Sequence, residues 1–173
     1  MRKLGLVLMA TLSTAFVADP AEPEPQARGK EVLSKWIGSW ESDIVIKPAA
    51  WTLRGGEVSG ATETEWILHD QFQQMSGSLG EHETLEIQRF DRRSNRFHKW
   101  TFNSDGATSF WTGNWSEESS TMTWTYVDFG LGLGGETSDR FIGGGKYEST
   151  MVLRDGTGNT LMDIRSKHRR SSP

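Results

Sequence analysis

Polar and apolar residues alternate along most of this chain, and tryptophan recurs inside the alternating runs. In 40–46 (WESDIVI), Trp40, Ser42, Ile44 and Ile46 fall on one face of an extended strand. In 62–68 (TETEWIL), Thr64, Trp66 and Leu68 share a face, with Glu63 and Glu65 opposite. The same period of two runs through 72–79, 83–90, 97–102 and 108–115. Phe110 and Trp111 stand on opposite faces of the last of these, which leaves its inward phase open. Met122, Trp124 and Tyr126 share a face in 121–129, and 147–153 and 161–167 complete the series. One segment departs from this period. In 30–37 (KEVLSKWI), Val32, Leu33, Trp36 and Ile37 form a helical stripe, and Gly38 ends it.

The predicted strands are separated by short polar punctuators such as Ser104-Asp105-Gly106 and Asp155-Gly156-Thr157-Gly158-Asn159. Connections of this length make hairpins, and no helical pattern intervenes between strands. The expectation is an all-β, antiparallel up-and-down β-barrel of about eight to nine strands with a short N-terminal helix. Closure removes exposed strand edges; an open sandwich is the alternative.

The first residues read differently. Met1-Arg2-Lys3 is a basic tip before the apolar run 4–18, which falls short of the about 20 residues of a spanning helix. A charged tip, an apolar stretch and small residues predict a signal peptide over 1–18, cleaved near 15 or 18, with an uncleaved anchor as the alternative. The stretch 19–28, rich in Pro and Glu, predicts a disordered linker, and 29–170 the barrel domain. A periplasmic or secreted protein follows, with no stable membrane span after signal removal. The chain has no cysteine, so packing alone must hold it together. Loss of Arg2 and Lys3 takes the formal net charge from −4 to −6. Nucleic acid is not an expected partner, because phosphate contacts need clustered Lys and Arg. The single basic cluster, 165–170 (RSKHRR), reads as a solvated tail.

Ile37-Gly38-Ser39-Trp40, following a short helix, resembles the Gly-x-Trp opening of lipocalin-like (calycin) barrels. The segment 90–100 (FDRRSNRFHKW), followed by Asn103-Ser104-Asp105-Gly106, is similar to a pattern in one branch of that group, secreted bacterial proteins carrying a domain-of-unknown-function label. The resemblance runs from Val32 to about Arg169. It implies a barrel with a mouth at one end and a largely undefined ligand. It also implies an arginine on the last strand stacked over Trp40 as a structural lock, with Arg165 or Arg169 in that role. The haem-binding barrels of the wider group need a histidine aimed into the cavity. No histidine here carries a recognisable haem signature, and no cofactor is expected.

Chemical candidates are few. His69-Asp70 and His82-Glu83 sit at predicted turns, where solvated side chains are the plain reading. His98 shares a face with Trp100; if that face is inward it could contact a ligand, and otherwise it is simply exposed. No His/Cys/carboxylate spacing suggests a metal site, and no Gly-x-Ser-x-Gly elbow or cysteine nucleophile exists. The run 130–135 (GLGLGG) lacks the Gly-Lys-Ser/Thr ending of a phosphate loop. With Gly143-Gly144-Gly145 it could flank 137–142 as a movable lid at the open end, or both could be plain hairpin connections. Three functions stay open: a binding module for a small apolar or aromatic ligand, an enzyme using a cavity His or carboxylate, and a plugged barrel acting through protein contacts. For the first, Trp66, Trp100, Trp111 and Trp124 are the expected cavity wall, with Tyr126 or His98 as the polar contact.

Overall fold

The alternation resolves into ten strands: β1 (Gly38–Lys47), β2 (Gly56–Ile67), β3 (Phe72–Leu79), β4 (His82–Asp91), β5 (Arg96–Asn103), β6 (Thr108–Ser116), β7 (Thr121–Tyr126), β8 (Leu133–Gly143), β9 (Lys146–Asp155) and β10 (Thr160–Arg170). The structure is a computed structural model that describes residues 25–171. The expected signal peptide and residues 19–24 of the expected linker lie outside the described residues. Each strand pairs antiparallel with its chain neighbours, and β1 pairs with β10 to close the barrel.

Two differences from the expected elements have physical causes. Strand β8 occupies 133–143, where the sequence leaves open a glycine-flanked lid over 137–142 or plain hairpin connections. Its inward positions are Gly135, Thr137, Asp139 and Phe141, too polar to give an apolar alternation. The glycine loops at 130–132 and 143–145 sit at opposite ends of this 11-residue strand, so they cannot hinge one lid. Strand β10 runs on to Arg170, so 165–170 is no solvated tail. Opposite β1, Ser166, His168 and Arg170 share the phase of Ile44, Ser42 and Trp40, while Arg165, Lys167 and Arg169 point outward.

The helix α1 spans Pro25–Leu33 and tightens into a 3-10 turn, Ser34–Trp36. It begins within the last residues of the expected linker, because Pro25 occupies the first turn, where its missing N–H leaves no bond unmade. A Cβ at Gly29 would stand 2.3 Å from Phe90 Cγ, so only glycine lets α1 lie directly on the barrel.

Helix and turn close one end. Val32, Leu33 and Trp36 bury into a cluster with Trp40, Phe97, Trp111, Met122, Trp124 and Tyr147; Trp66, Phe90, Trp115 and Phe141 pack against it. Trp40 Nε1 donates to Trp36 O at 2.7 Å, and Gln73 Nε2 donates to Leu33 O at 2.7 Å. Arg170 supplies the lock over Trp40. Its guanidinium lies 4.6 Å from the ring centre, and it donates to the carbonyls of Ile37 and Lys35. Arg165 and Arg169 have the wrong phase for this role. Arg169 instead pairs with Glu41 and Asp43 on the outside.

Candidate functional site

From the closed end towards the mouth, the inward residue next to each aromatic is repeatedly polar. Ser42 follows Trp40, Lys99 follows Phe97 and Ser149 follows Tyr147; on strands of opposite direction, Thr64 precedes Trp66, Gln88 precedes Phe90 and Asp139 precedes Phe141. A polar belt therefore lies above an aromatic floor. Nearer the mouth the inward side chains become Ile44, Ile46, Met151, Leu153 and Ile164. These apolar groups face the interior yet are only half-buried.

Lys99 is the centre of the belt. Its Nζ lies 4.8 Å from the Trp124 ring, 5.6 Å from the Trp111 ring and 3.7 Å from Glu86 Oε1. Two indole faces and one carboxylate compensate a cation that would otherwise not tolerate this burial. Glu86 also accepts from Thr101 Oγ1 at 3.2 Å. Across the barrel, Asp139 accepts from Trp124 Nε1 at 3.1 Å and from Ser149 Oγ at 2.5 Å. Tyr126 meets Trp111 edge-on at 5.3 Å. Gly113 opens the space that Trp124 fills, since a Cβ there would stand 2.6 Å from Trp124 Cε3.

His168 faces the same interior. Its ring stacks on Tyr147 at 4.0 Å, and its Nδ1 lies 2.6 Å from Ser42 Oγ. Burial pushes its pKa down to about 4, so the imidazole is neutral at pH 7, and burial raises the Tyr147 phenol well above its usual range.

The expected site residues divide accordingly. Trp111, Trp124 and Tyr126 come together on the interior wall around Lys99. Trp66 also faces inward, but at the closed end, where Lys30 Nζ sits 5.4 Å from its ring. Trp100 and His98 do not face the interior. Phe97 takes the inward phase of β5, so His98 and Trp100 face outward with Phe110, in ring contacts of 5.1–5.9 Å, and Phe129 stacks on Phe110 at 6.3 Å. On this part of the barrel the apolar face is the outer one, and that inversion misdirects a reading based on hydrophobicity. His69 lies exposed in the β2–β3 turn and His82 exposed at the start of β4. Sequence reasoning missed Gln73, Glu86, Gln88, Lys99, Asp139 and His168. The repeated aromatic-x-polar spacing was the available signal.

A groove of about 630 Å³ crosses the outside of β1–β5, lined by Ser39, Ala61, Ser76, Ser78, Leu85 and Phe102 among others. Its lining also includes Trp40, Thr62, Gly77 and Thr84, which have the inward phase of their strands. Among the described residues there is no cluster of three or more His, Cys, Asp or Glu placed to hold a metal ion, and no helix long and apolar enough to cross a membrane.

No family model and no curated protein matches this chain. Solved structures do. The protein Rv2717c from M. tuberculosis superposes with a TM-score of 0.65 at 14% identity, covering 83% of this chain and 98% of that one. The S-type phycobiliprotein lyase CPES from Guillardia theta gives a TM-score of 0.55 at 13% identity, covering 87% of this chain and 99% of that one. At such identities the likeness is one of fold: this chain is a closed antiparallel barrel of lipocalin-like architecture.

Proposed function

We propose that this chain is a secreted or periplasmic binding protein that holds a small ligand with an apolar or aromatic body inside the barrel. It would stand in the lipocalin-like branch of secreted bacterial proteins that the 90–100 segment resembles. The observation that carries the reading is the two-zone interior. Apolar side chains at the mouth, Ile44, Ile46, Met151, Leu153 and Ile164, stay only half-buried although they face inward, above the buried Trp111 and Trp124 and the half-buried Tyr126. A plugged barrel would bury that upper ring as completely as Trp36 and Trp40 are buried below. The basic tip and apolar run of 1–18 support export.

The test is a titration with N-phenyl-1-naphthylamine, an uncharged dye that brightens in apolar surroundings. The expected result is saturable binding at one site with quenching of tryptophan emission. Trp111→Leu weakens it about tenfold, and Trp100→Ala, on the outer face, leaves it unchanged. No saturable binding, or sensitivity to Trp100 in place of Trp111, refutes the reading.

A further inference from the structure

The large apolar side chains left outside are not spread evenly over the barrel. Among the described residues the three most exposed are Leu53, Phe129 and Leu131, at 81%, 73% and 72%, and Trp51 is 55% exposed. All four lie in two connections, 48–55 between β1 and β2 and 127–132 between β7 and β8, at the end of the barrel opposite α1. The half-buried apolar residues of the interior stand at this same end. Exposed apolar groups gathered in this way mark a contact surface.

Hydrogen bonds tie both connections down, so their tips are held out into water. Trp51 N donates to Leu161 O at 2.9 Å, Thr52 Oγ1 to Lys47 O at 2.8 Å and Gly55 N to Thr52 O at 2.9 Å. Thr52 is thereby half-buried, and Trp51 and Leu53 on either side of it stay outside. The Asp128 carboxylate accepts from Leu131 N at 2.9 Å and Gly132 N at 3.1 Å, which rolls 128–132 into a knuckle with left-handed backbone at Gly130 and Gly132. Phe129 stacks on Phe110 and still leaves most of its surface in water.

Shape and charge select the partner. The connection Asp155-Gly156-Thr157-Gly158-Asn159 stands between the two apolar tips, because β9 and β10 lie between β8 and β1, and a Cβ at Gly156 would be 3.3 Å from Gly132 O. The tips are therefore two protrusions with a polar saddle between them, which gives a rigid protein partner no continuous apolar core to bury. A fluid lipid surface takes up separate protrusions, and tryptophan favours its polar–apolar boundary. The formal charges of the three connections are Arg54 against Asp128 and Asp155, one positive and two negative, so anionic lipid gains no advantage. We propose that this end of the barrel docks on a zwitterionic lipid bilayer, with Trp51, Leu53, Phe129 and Leu131 inserted at the head-group boundary. The inference stands whether or not the interior holds a ligand.

The chain has no cysteine, so a single label can be placed at a chosen position. Leu53→Cys and Leu131→Cys on the rim, and Leu68→Cys, 66% exposed between β2 and β3 at the other end, each carry an NBD fluorophore in the full chain. With phosphatidylcholine vesicles, the labels at 53 and 131 brighten, shift to the blue and are quenched by doxyl-labelled lipid, while the label at 68 stays as in water. Raising NaCl from about 0.1 M to about 0.5 M changes the bound fraction less than about twofold. Leu53→Ser with Phe129→Ser, read through the label at 131, weakens binding about tenfold or more and leaves the circular dichroism unchanged. Attachment through the apolar run 4–18 alone would leave both rim labels dark, so it cannot mimic the result. Dark rim labels, equal brightening at 68, or binding that needs phosphatidylserine and vanishes in salt each overturns the proposal. Brightening at 53 and 131 without lipid, rising with protein concentration, assigns the rim to a contact between copies and overturns it too.

Discussion

Removing the side chain of Arg170 tests the phase of the last strand and the lock at the closed end together. Its guanidinium lies 4.6 Å over Trp40 and donates to the carbonyls of Lys35 and Ile37, which belong to the turn leading into β1. A cation over an indole contributes about 0.5–2 kcal/mol. Two charge-assisted bonds at a partly solvated site add about 0.5–1 kcal/mol each, below the range for buried ones. Arg170→Ala should therefore destabilise the fold by roughly 2–3 kcal/mol. For a domain of this size each kcal/mol lowers the midpoint by about 3–4 °C, so thermal unfolding followed by circular dichroism should shift by about 6–12 °C. Arg169→Ala is the matched control. Its ion pairs with Glu41 and Asp43 are solvent-exposed and screened by salt, and its loss should move the midpoint by less than a third as much. Arg170→Lys keeps the charge but not the planar fork and should fall between the two. Equal effects of the Arg169 and Arg170 substitutions, or a larger one at Arg169, would refute the register of β10 against β1.

Three further outcomes follow from individual contacts. Gly113→Ala should destabilise by about 1–3 kcal/mol in urea unfolding, because the added methyl meets Trp124 Cε3 at 2.6 Å; Gly134→Ala, with nothing within 4 Å, should be neutral or slightly stabilising. Stability should fall with acid in two windows. His168 titrates near 4 in the fold against an ordinary value of 6.5, so the unfolded chain takes up a proton that the folded chain refuses, and stability drops between about pH 6.5 and 4 by on the order of 3 kcal/mol. His98, held below its usual range chiefly by desolvation, adds to the same window. Asp155, held down to about 2 by Thr157 and Asn159, is ionised in the fold and loses its contribution only below about pH 4. His168→Phe, which preserves the stack on Tyr147, should flatten the upper window in pH-dependent melts and leave the lower one. Asp139→Ala leaves Trp124 Nε1 and Ser149 Oγ without their acceptor and should cost about 2–3 kcal/mol, while Asp139→Asn, which keeps an acceptor oxygen, should cost less.

Where apolar residues kept to one phase, the strands were legible. Trp40-x-Ser42-x-Ile44-x-Ile46 and Met122-x-Trp124-x-Tyr126 state both strand and inward face. Strand β8 was hidden because its inward residues are Gly135, Thr137 and Asp139, chosen for the barrel's polar interior. The end of β10 was hidden for the same reason, since Ser166-x-His168-x-Arg170 carries no apolar mark. On β4 and β5 the hydrophobic signal pointed the wrong way: Leu85, Trp100 and Phe102 are outside, while Glu86, Lys99 and Thr101 are inside. Hydrophobicity separates core from solvent, and a polar barrel interior follows neither pattern. The inward phase of Trp66, Trp111, Trp124 and Tyr126 was nonetheless readable, because there the aromatics pack the core.

The most direct measurement is native mass spectrometry of this protein purified from its own host without organic solvent. A barrel that binds in its interior carries a small molecule at one per chain, released on unfolding and diminished in Trp111→Leu. Bare chain mass alone, with no uptake of N-phenyl-1-naphthylamine by the same preparation, would contradict the ligand-holding interior.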